Sequence, residues 1–171
     1  MLLQWSAPEY MPHSFQISGL SGTVGHKQTG NCFDLTKQVA DGFVGMQELS
    51  KGLFLVQSEM AFKRETELYE EYPERKVFQL SFCMNGICEW DYRQKQGEHY
   101  QLSPTQCSLQ CGTFSQCVSH FGSEQPYHTL SISLEEGRFS SLTEDLEAAH
   151  LIRRDDKICT HVFSTTPEIR L

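Results

Sequence analysis

The sequence predicts a mainly β chain, an antiparallel barrel or sandwich followed by helix, and three observations carry that expectation. Short runs rich in β-branched and aromatic residues recur from Gly45 to Thr129. Turn signals separate them at roughly eight to twelve residues, the spacing of antiparallel all-β folds. After residue 134 the apolar period lengthens from that of a strand to that of a helix.

Taken in order, residues 1–41 are rich in Gly, Ser, Gln and His, as in SGLSGTVGHKQTGN, with too few apolar positions for a core of their own. They are expected to form a loosely structured arm, loose or packed as irregular strand. Residues 42–134 hold the strand candidates LFLVQ, VFQLSFC, ICEWDYR, HYQL, CSLQC, FSQCVSHF and YHTLSISL. In residues 135–171, Leu142, Leu146 and Ala149 fall at i, i+4 and i+7, and Ser141 with Glu144 fits a capping box, so a helix is expected there. Thr166, Pro167 and Glu168 then read as the start of another helix, so a longer protein is expected.

Composition narrows the function. The formal charge is -8, from 14 Lys+Arg and 22 Asp+Glu, and nucleic-acid binding draws on clustered cations, so this chain alone is not expected to bind DNA. No apolar run approaches membrane-helix length and MLLQWSAPEY lacks a basic leader, so a soluble cytoplasmic chain without membrane partners is expected. The seven cysteines, at 32, 83, 88, 107, 111, 117 and 159, contain no CxxC, poor spacing for structural zinc or a secreted disulfide frame. A nucleophile elbow, GxGxxG, a Walker loop and HExxH are all missing.

Cys83 and Cys88 flank Asn85-Gly86 symmetrically in SFCMNGICEW. Asn-Gly suits a two-residue type I′ hairpin turn, which would set Cys83 opposite Cys88 and Ser81 opposite Trp90. Opposed strand residues have Cα atoms ~4.5 to 5.5 Å apart, within disulfide range, but two reduced thiols acting as small hydrophobes are favoured. One face then carries Gln79, Ser81, Cys83, Cys88, Trp90 and Tyr92, hydrogen-bonding groups mixed with flat rings as in a small-molecule pocket; the alternative is a satisfied interior. Cys107, Cys111 and Cys117 are expected on neighbouring strands, where thiolates could take a soft metal, although buried reduced cysteine is commoner. His120 and His128 flank the loop between two strands and could meet across a hairpin.

The stretch VFQLSFCMNGICEWDYRQKQGEHYQLSPTQCSLQCG, with LSKGLFLVQSEM upstream and LSISLEEGRF and TTPEIRL downstream, resembles the N-terminal regulatory domain of AraC-family transcription regulators. Within that family it looks most like the PchR-type siderophore regulators, over roughly residues 45–171. The resemblance implies a cupin-like antiparallel β-barrel, the double-stranded β-helix, followed by one or two α-helices. It also implies a ligand-sensing role for a ferric siderophore or related small molecule, with no catalysis and no cofactor. DNA contact would belong to a helix-turn-helix domain C-terminal to this one. Metal-dependent cupins carry HxH and then a Glu before the turn glycine; here that position is Gln79 and no HxH lies upstream, so no metal site is expected. The resemblance further selects Gln79, Ser81, Cys83, Cys88, Trp90 and Tyr92 as inward-facing. Lys63, Arg64, Arg75 and Lys76 could complement a negatively charged ligand. The alternatives are a cupin-type metal-dependent enzyme and a dimerisation module, for which Leu142, Leu146 and Ala149 would supply a homodimer face.

Overall fold

A computed structural model describes residues 2–6, 15–16, 32–34, 40–93, 97–135, 142, 144–150, 152 and 158–165. Among the described residues eleven strands run in chain order: β1 (Leu2–Ser6), β2 (Phe15–Gln16), β3 (Cys32–Asp34), β4 (Ala40–Ser50), β5 (Leu53–Phe62), β6 (Thr66–Asn85), β7 (Cys88–Tyr92), β8 (His99–Leu102), β9 (Gln106–Phe121), β10 (Tyr127–Glu135) and β11 (Ile158–Ser164). All pairings are antiparallel except β1 with β6. Three of the strands lie within residues 1–41, and β1 joins the sheet beside the first part of β6.

Two strands organise the barrel because each serves two sets of neighbours. The second part of β6, 75–82, pairs with the first part of β9, and there the sheet runs β3-β4-β5-β10-β6-β9-β11. The first part of β6, 66–71, pairs with the end of β9, where β1, β7 and β8 join. The change of register falls between Glu71 and Arg75. Pro73 lies in that interval, and a residue without an N–H is tolerated in a strand mainly at bulges and edges. On β9 the corresponding interval runs from Phe114 to Gln116; two residues before it Gly112, opposite Val77, has a φ of +136° that favours glycine.

The interior holds Val44, Met60, Phe62, Leu68, Cys83, Cys88, Trp90, Tyr92, Leu102, Cys117, Phe121 and Ile158. Phe62 stacks on Phe121 at 4.8 Å, and Phe121 meets Tyr127 at 5.1 Å. A second apolar cluster lies on the outer face: Phe78, Leu109, Cys111, Ile152 and Cys159 are buried there, with Leu80, Leu134, Leu142 and Leu146 packed against them. Residues 144–148 are helical, and the turn ends with His150 at φ +58°, its N–H donating to Glu147 O at 3.0 Å. The expected helix thus covers the outside of the barrel. The helix start read at Thr166 lies outside the described residues.

Three sequence expectations are corrected. The Asn85-Gly86 turn does not make a hairpin: β6 pairs with β1, β9 and β10, whereas β7 pairs with β8 and β9. Cys83 therefore faces Thr129, and Cys88 faces Leu102 and Phe121. Gly86 has φ +75° but Asn85 is not in the left-handed region, so the two-residue type I′ geometry is not met. The turn is a corner carrying the chain from one wall to the other. Next, Cys107, Cys111 and Cys117 share β9 rather than occupying neighbouring strands. Finally, β9 and β10 are not partners, so His120 and His128 do not meet across a hairpin. His120 instead approaches Asp91 at 3.1 Å and Glu67 at 3.7 Å, and Asp91 also takes His99 at 3.0 Å.

Candidate functional site

The site is built from strand alternation, which sends successive side chains to opposite faces. On β6, Ser81 and Cys83 are buried, and on β7 so are Cys88, Trp90 and Tyr92. Met84 and Ile87, of opposite parity, are 41% and 47% exposed. Five of the six side chains on the face read from the sequence are therefore buried in the barrel wall. The sixth, Gln79, is half-buried and donates from Nε2 to Ser81 Oγ at 3.0 Å.

Register extends this face into two rows across the sheet. Met46, Val56, Ser131, Ser81, Ser108 and Val162 oppose one another in turn from β4 to β11. The next row is Glu48, Phe54, Ser133, Gln79, Gln110 and Thr160. Val56 and Val162 pack on the interior cluster, which fixes both rows as inward-facing. The middle of each row is polar, and from β5 to β11 every side chain in both rows is uncharged; the one carboxylate, Glu48, is exposed at the β4 end. Ser131 donates to Ser81 Oγ at 2.8 Å. Ser108, 1% exposed, has no hydrogen-bond partner for its hydroxyl.

Facing these rows is an aromatic wall. Trp90 stacks on Tyr100 at 5.6 Å and 19°, and Tyr92 meets Tyr100 edge-on at 5.7 Å. The Tyr92 hydroxyl accepts from Thr160 Oγ1 at 3.4 Å, joining the wall to the second row. Burial raises the Tyr92 pKa well above the ordinary phenol range, opposed by the Thr160 hydroxyl and the Trp90 indole. That indole N–H, in a side chain 4% exposed, nonetheless reaches no acceptor in hydrogen-bond geometry. Buried donors and hydroxyls normally find partners, so two orphans in one interior are a specific feature.

At the corner, Cys83 Sγ donates to Asn85 O and Gly86 O, each at 3.4 Å. Burial pushes its thiol up to about 11, against the smaller opposing effect of the Asn85 backbone contact. Tyr127, beside both Cys83 and Cys88, is also raised by burial. Six cysteines, Cys83, Cys88, Cys107, Cys111, Cys117 and Cys159, are buried thiols outside any disulfide. The sign of the pH dependence follows: between pH 9.0 and about 11 an unfolded Cys83 ionises while the folded one holds its proton. The folded state then binds more protons, and stability falls as pH rises through that window. Urea midpoints measured across it should decline, and Cys83→Ala should flatten the decline; a flat wild-type profile would count against the buried thiol.

Of the cations considered for charge complementarity, Lys63 pairs with Asp41 at 3.7 Å and Arg64 is exposed; the side chains of Arg75 and Lys76 lie outside the described residues. Among the described residues no group of three His, Cys, Asp or Glu could hold a metal ion. Leu142 and Leu146 face the barrel's outer wall, and Ala149 is the exposed member of their stripe. Among the described residues no helix is long and apolar enough to cross a membrane.

Sequence reasoning missed Tyr100, Ser108, Gln110, Ser131 and Ser133. A signal was present in TLSISL and CSLQC, whose strict alternation isolates a polar face. Ordinary patterning sends such a face to solvent.

The pattern of the regulatory protein PchR N-terminal domain matches residues 41–171. The chain belongs to this family. No curated protein matches it. Among solved structures, this PchR-type domain is similar to the cupin domain of an XRE family transcriptional regulator from Enterobacter cloacae, at 16% identity and a TM-score of 0.41, covering 53% of this chain and 93% of that one. It is also similar to the AraC-like transcriptional activator CuxR, at 8% identity and TM-score 0.46, over 69% of this chain and 43% of that one. A third is the pirin YhhW from Escherichia coli, solved with nickel(II), at 10% identity and TM-score 0.47, over 83% of this chain and 55% of that one. The chain thus spans about half the length of the last two. Membership makes this a regulatory domain on a double-stranded β-helix.

Proposed function

We propose that this PchR-type domain senses a small-molecule effector, a ferric siderophore or related compound, held between the polar rows and the aromatic wall of the barrel. It acts in the cytoplasm without catalysis, and passes occupancy to a helix-turn-helix domain of the longer regulator. The observation that carries the reading is the pair of orphaned buried groups, Ser108 Oγ and Trp90 Nε1. A ligand offering acceptors would relieve the penalty that each bears without a partner. The rows, uncharged from β5 to β11, favour a compound whose charge is neutralised internally, as in a metal chelate, because burying an unpaired charge is costly. Switching requires that the effector bind one arrangement of the regulator better than another.

The test titrates ferric siderophores, their iron-free forms, haem and simple sugars against Trp fluorescence, using Trp5→Phe to leave Trp90 as the reporter. Saturable quenching by a ferric siderophore is expected, with weaker binding of its iron-free form. Ser108→Ala should raise the stability of the ligand-free domain by about 1 kcal/mol by removing an unsatisfied hydroxyl. The same change should weaken the effector about tenfold, equivalent to ~1.4 kcal/mol. Response to a sugar alone would redirect the domain to carbon-source sensing, and silence across the panel would sink the siderophore reading.

A further inference from the structure

The cysteines are not equivalent, and one pair stands apart on the outer wall. Register sets Cys159 of β11 directly opposite Cys111 of β9. No other two cysteines are ladder partners among the described residues: Cys83 faces Thr129, Cys88 faces Leu102 and Phe121, Cys107 faces Phe82 and Phe163, and Cys117 faces Glu70 and Tyr92. Both members belong to the outer apolar cluster, at 8% and 9% exposure, so they share a face. Antiparallel partners have Cα atoms ~4.5 to 5.5 Å apart, inside the ~4.4 to 6.8 Å span of disulfides. Cys159 Sγ lies 3.2 Å from His161 Nε2, within hydrogen-bond reach of a base. Nucleophilic sulfur is the thiolate, so a thiol with a proton acceptor at hand reacts ahead of thiols without one. Burial raises the pKa of the Cys83 and Cys107 thiols.

We propose that Cys111 and Cys159 form a reversible oxidation site, in which peroxide converts the facing thiols to a cross-strand disulfide with Cys159 attacking first. Cys159 gives its proton to His161 Nε2, and the thiolate attacks one peroxide oxygen. The O–O bond breaks, and the departing hydroxide takes the proton from the imidazolium to leave as water. Sulfur is oxidised to sulfenic acid while peroxide is reduced. The Cys111 thiol then attacks the Cys159 sulfur; the S–S bond forms, the S–O bond breaks, and the hydroxyl leaves with the Cys111 proton as a second water. Two thiols and one peroxide become one disulfide and two waters. The bond would tie β11 to β9 beneath Leu142 and Leu146, fixing the wall on which the helix rests.

The experiment exposes the full chain to hydrogen peroxide, alkylates the remaining thiols and maps unreduced peptides by mass spectrometry. A peptide pair linked through Cys111 and Cys159 is expected, lighter by about 2 Da for the two hydrogens lost and resolved again by dithiothreitol. Cys111→Ser should leave Cys159 as a sulfenic acid that dimedone traps. His161→Gln should slow the reaction at neutral pH at least tenfold and remove the inflection in its pH–rate profile, which a merely structural role would not do. Circular dichroism of each variant separates loss of reactivity from loss of fold. Linkage through any other cysteine pair, or retention of all thiols in the folded wild-type chain, overturns the proposal.

Discussion

Trp90→Ala is expected to lose about 3 to 5 kcal/mol of stability, the usual range for removing a large aromatic side chain from a packed core. Trp90 sits on β7 between β8 and β9, opposite Tyr100 and Ser119, with its ring stacked on Tyr100. Truncation would open a void beside Tyr92 and Tyr100 that rigid strand backbones cannot close. Trp90→Phe should behave differently. It loses some packing but also removes an indole N–H with no partner, whose burial costs roughly 1 to 3 kcal/mol. The two effects oppose, so the phenylalanine variant should stay within about 1 kcal/mol of the parent. Urea unfolding of both variants checks this. An alanine variant with an unshifted midpoint would mean that the aromatic wall is not close-packed.

Gly86→Ala should cost about 3 kcal/mol, from two sources. A side chain at φ +75° bears the left-handed penalty of roughly 1 to 2 kcal/mol. Beyond that, a Cβ would lie 2.7 Å from Pro126 O and 2.9 Å from Tyr127 Cα, both backbone atoms that cannot rotate away. Accommodating it would push the start of β10 off the corner and strain the bond from Asn85 Nδ2 to Pro126 O, 3.0 Å in the parent. Gly97→Ala is the control: its φ is +86° but nothing lies within 4 Å of the added carbon, so only the conformational penalty should appear. Thermal melts of the two variants should differ by the cost of the close approach. Equal losses would show that Pro126 yields freely. Because Tyr127 neighbours Cys83 and Cys88, Gly86→Ala should also alter the reactivity of those thiols.

Much of this was legible in the chain itself. Short alternating runs specify strands, the Leu142, Leu146 spacing specifies a helix with one apolar side, and Asn85-Gly86 specifies a turn, because each depends on residues a few positions apart. Parity on either side of Gly86 likewise places Ser81, Cys83, Cys88, Trp90 and Tyr92 on one face.

Which partner each strand takes was decided only in the tertiary structure, because ladder partners are distant in sequence and a turn fixes its own residues but not the direction of the strands that leave it. Asn85-Gly86 could close a hairpin, yet β6 and β9 each run past the point where the barrel changes walls, and Cys83 and Cys88 part company there. Tertiary structure also decided which face of β10 is the inner one. Alternation in TLSISL divides polar from apolar side chains but does not say which set meets the core. Here a second apolar cluster covers the outer wall and takes Leu134, so Ser131 and Ser133 turn inward to face Ser81 and Gln79. The pairing of Cys111 with Cys159 has the same origin, since 48 positions of sequence separate two thiols that only the β9–β11 register brings together.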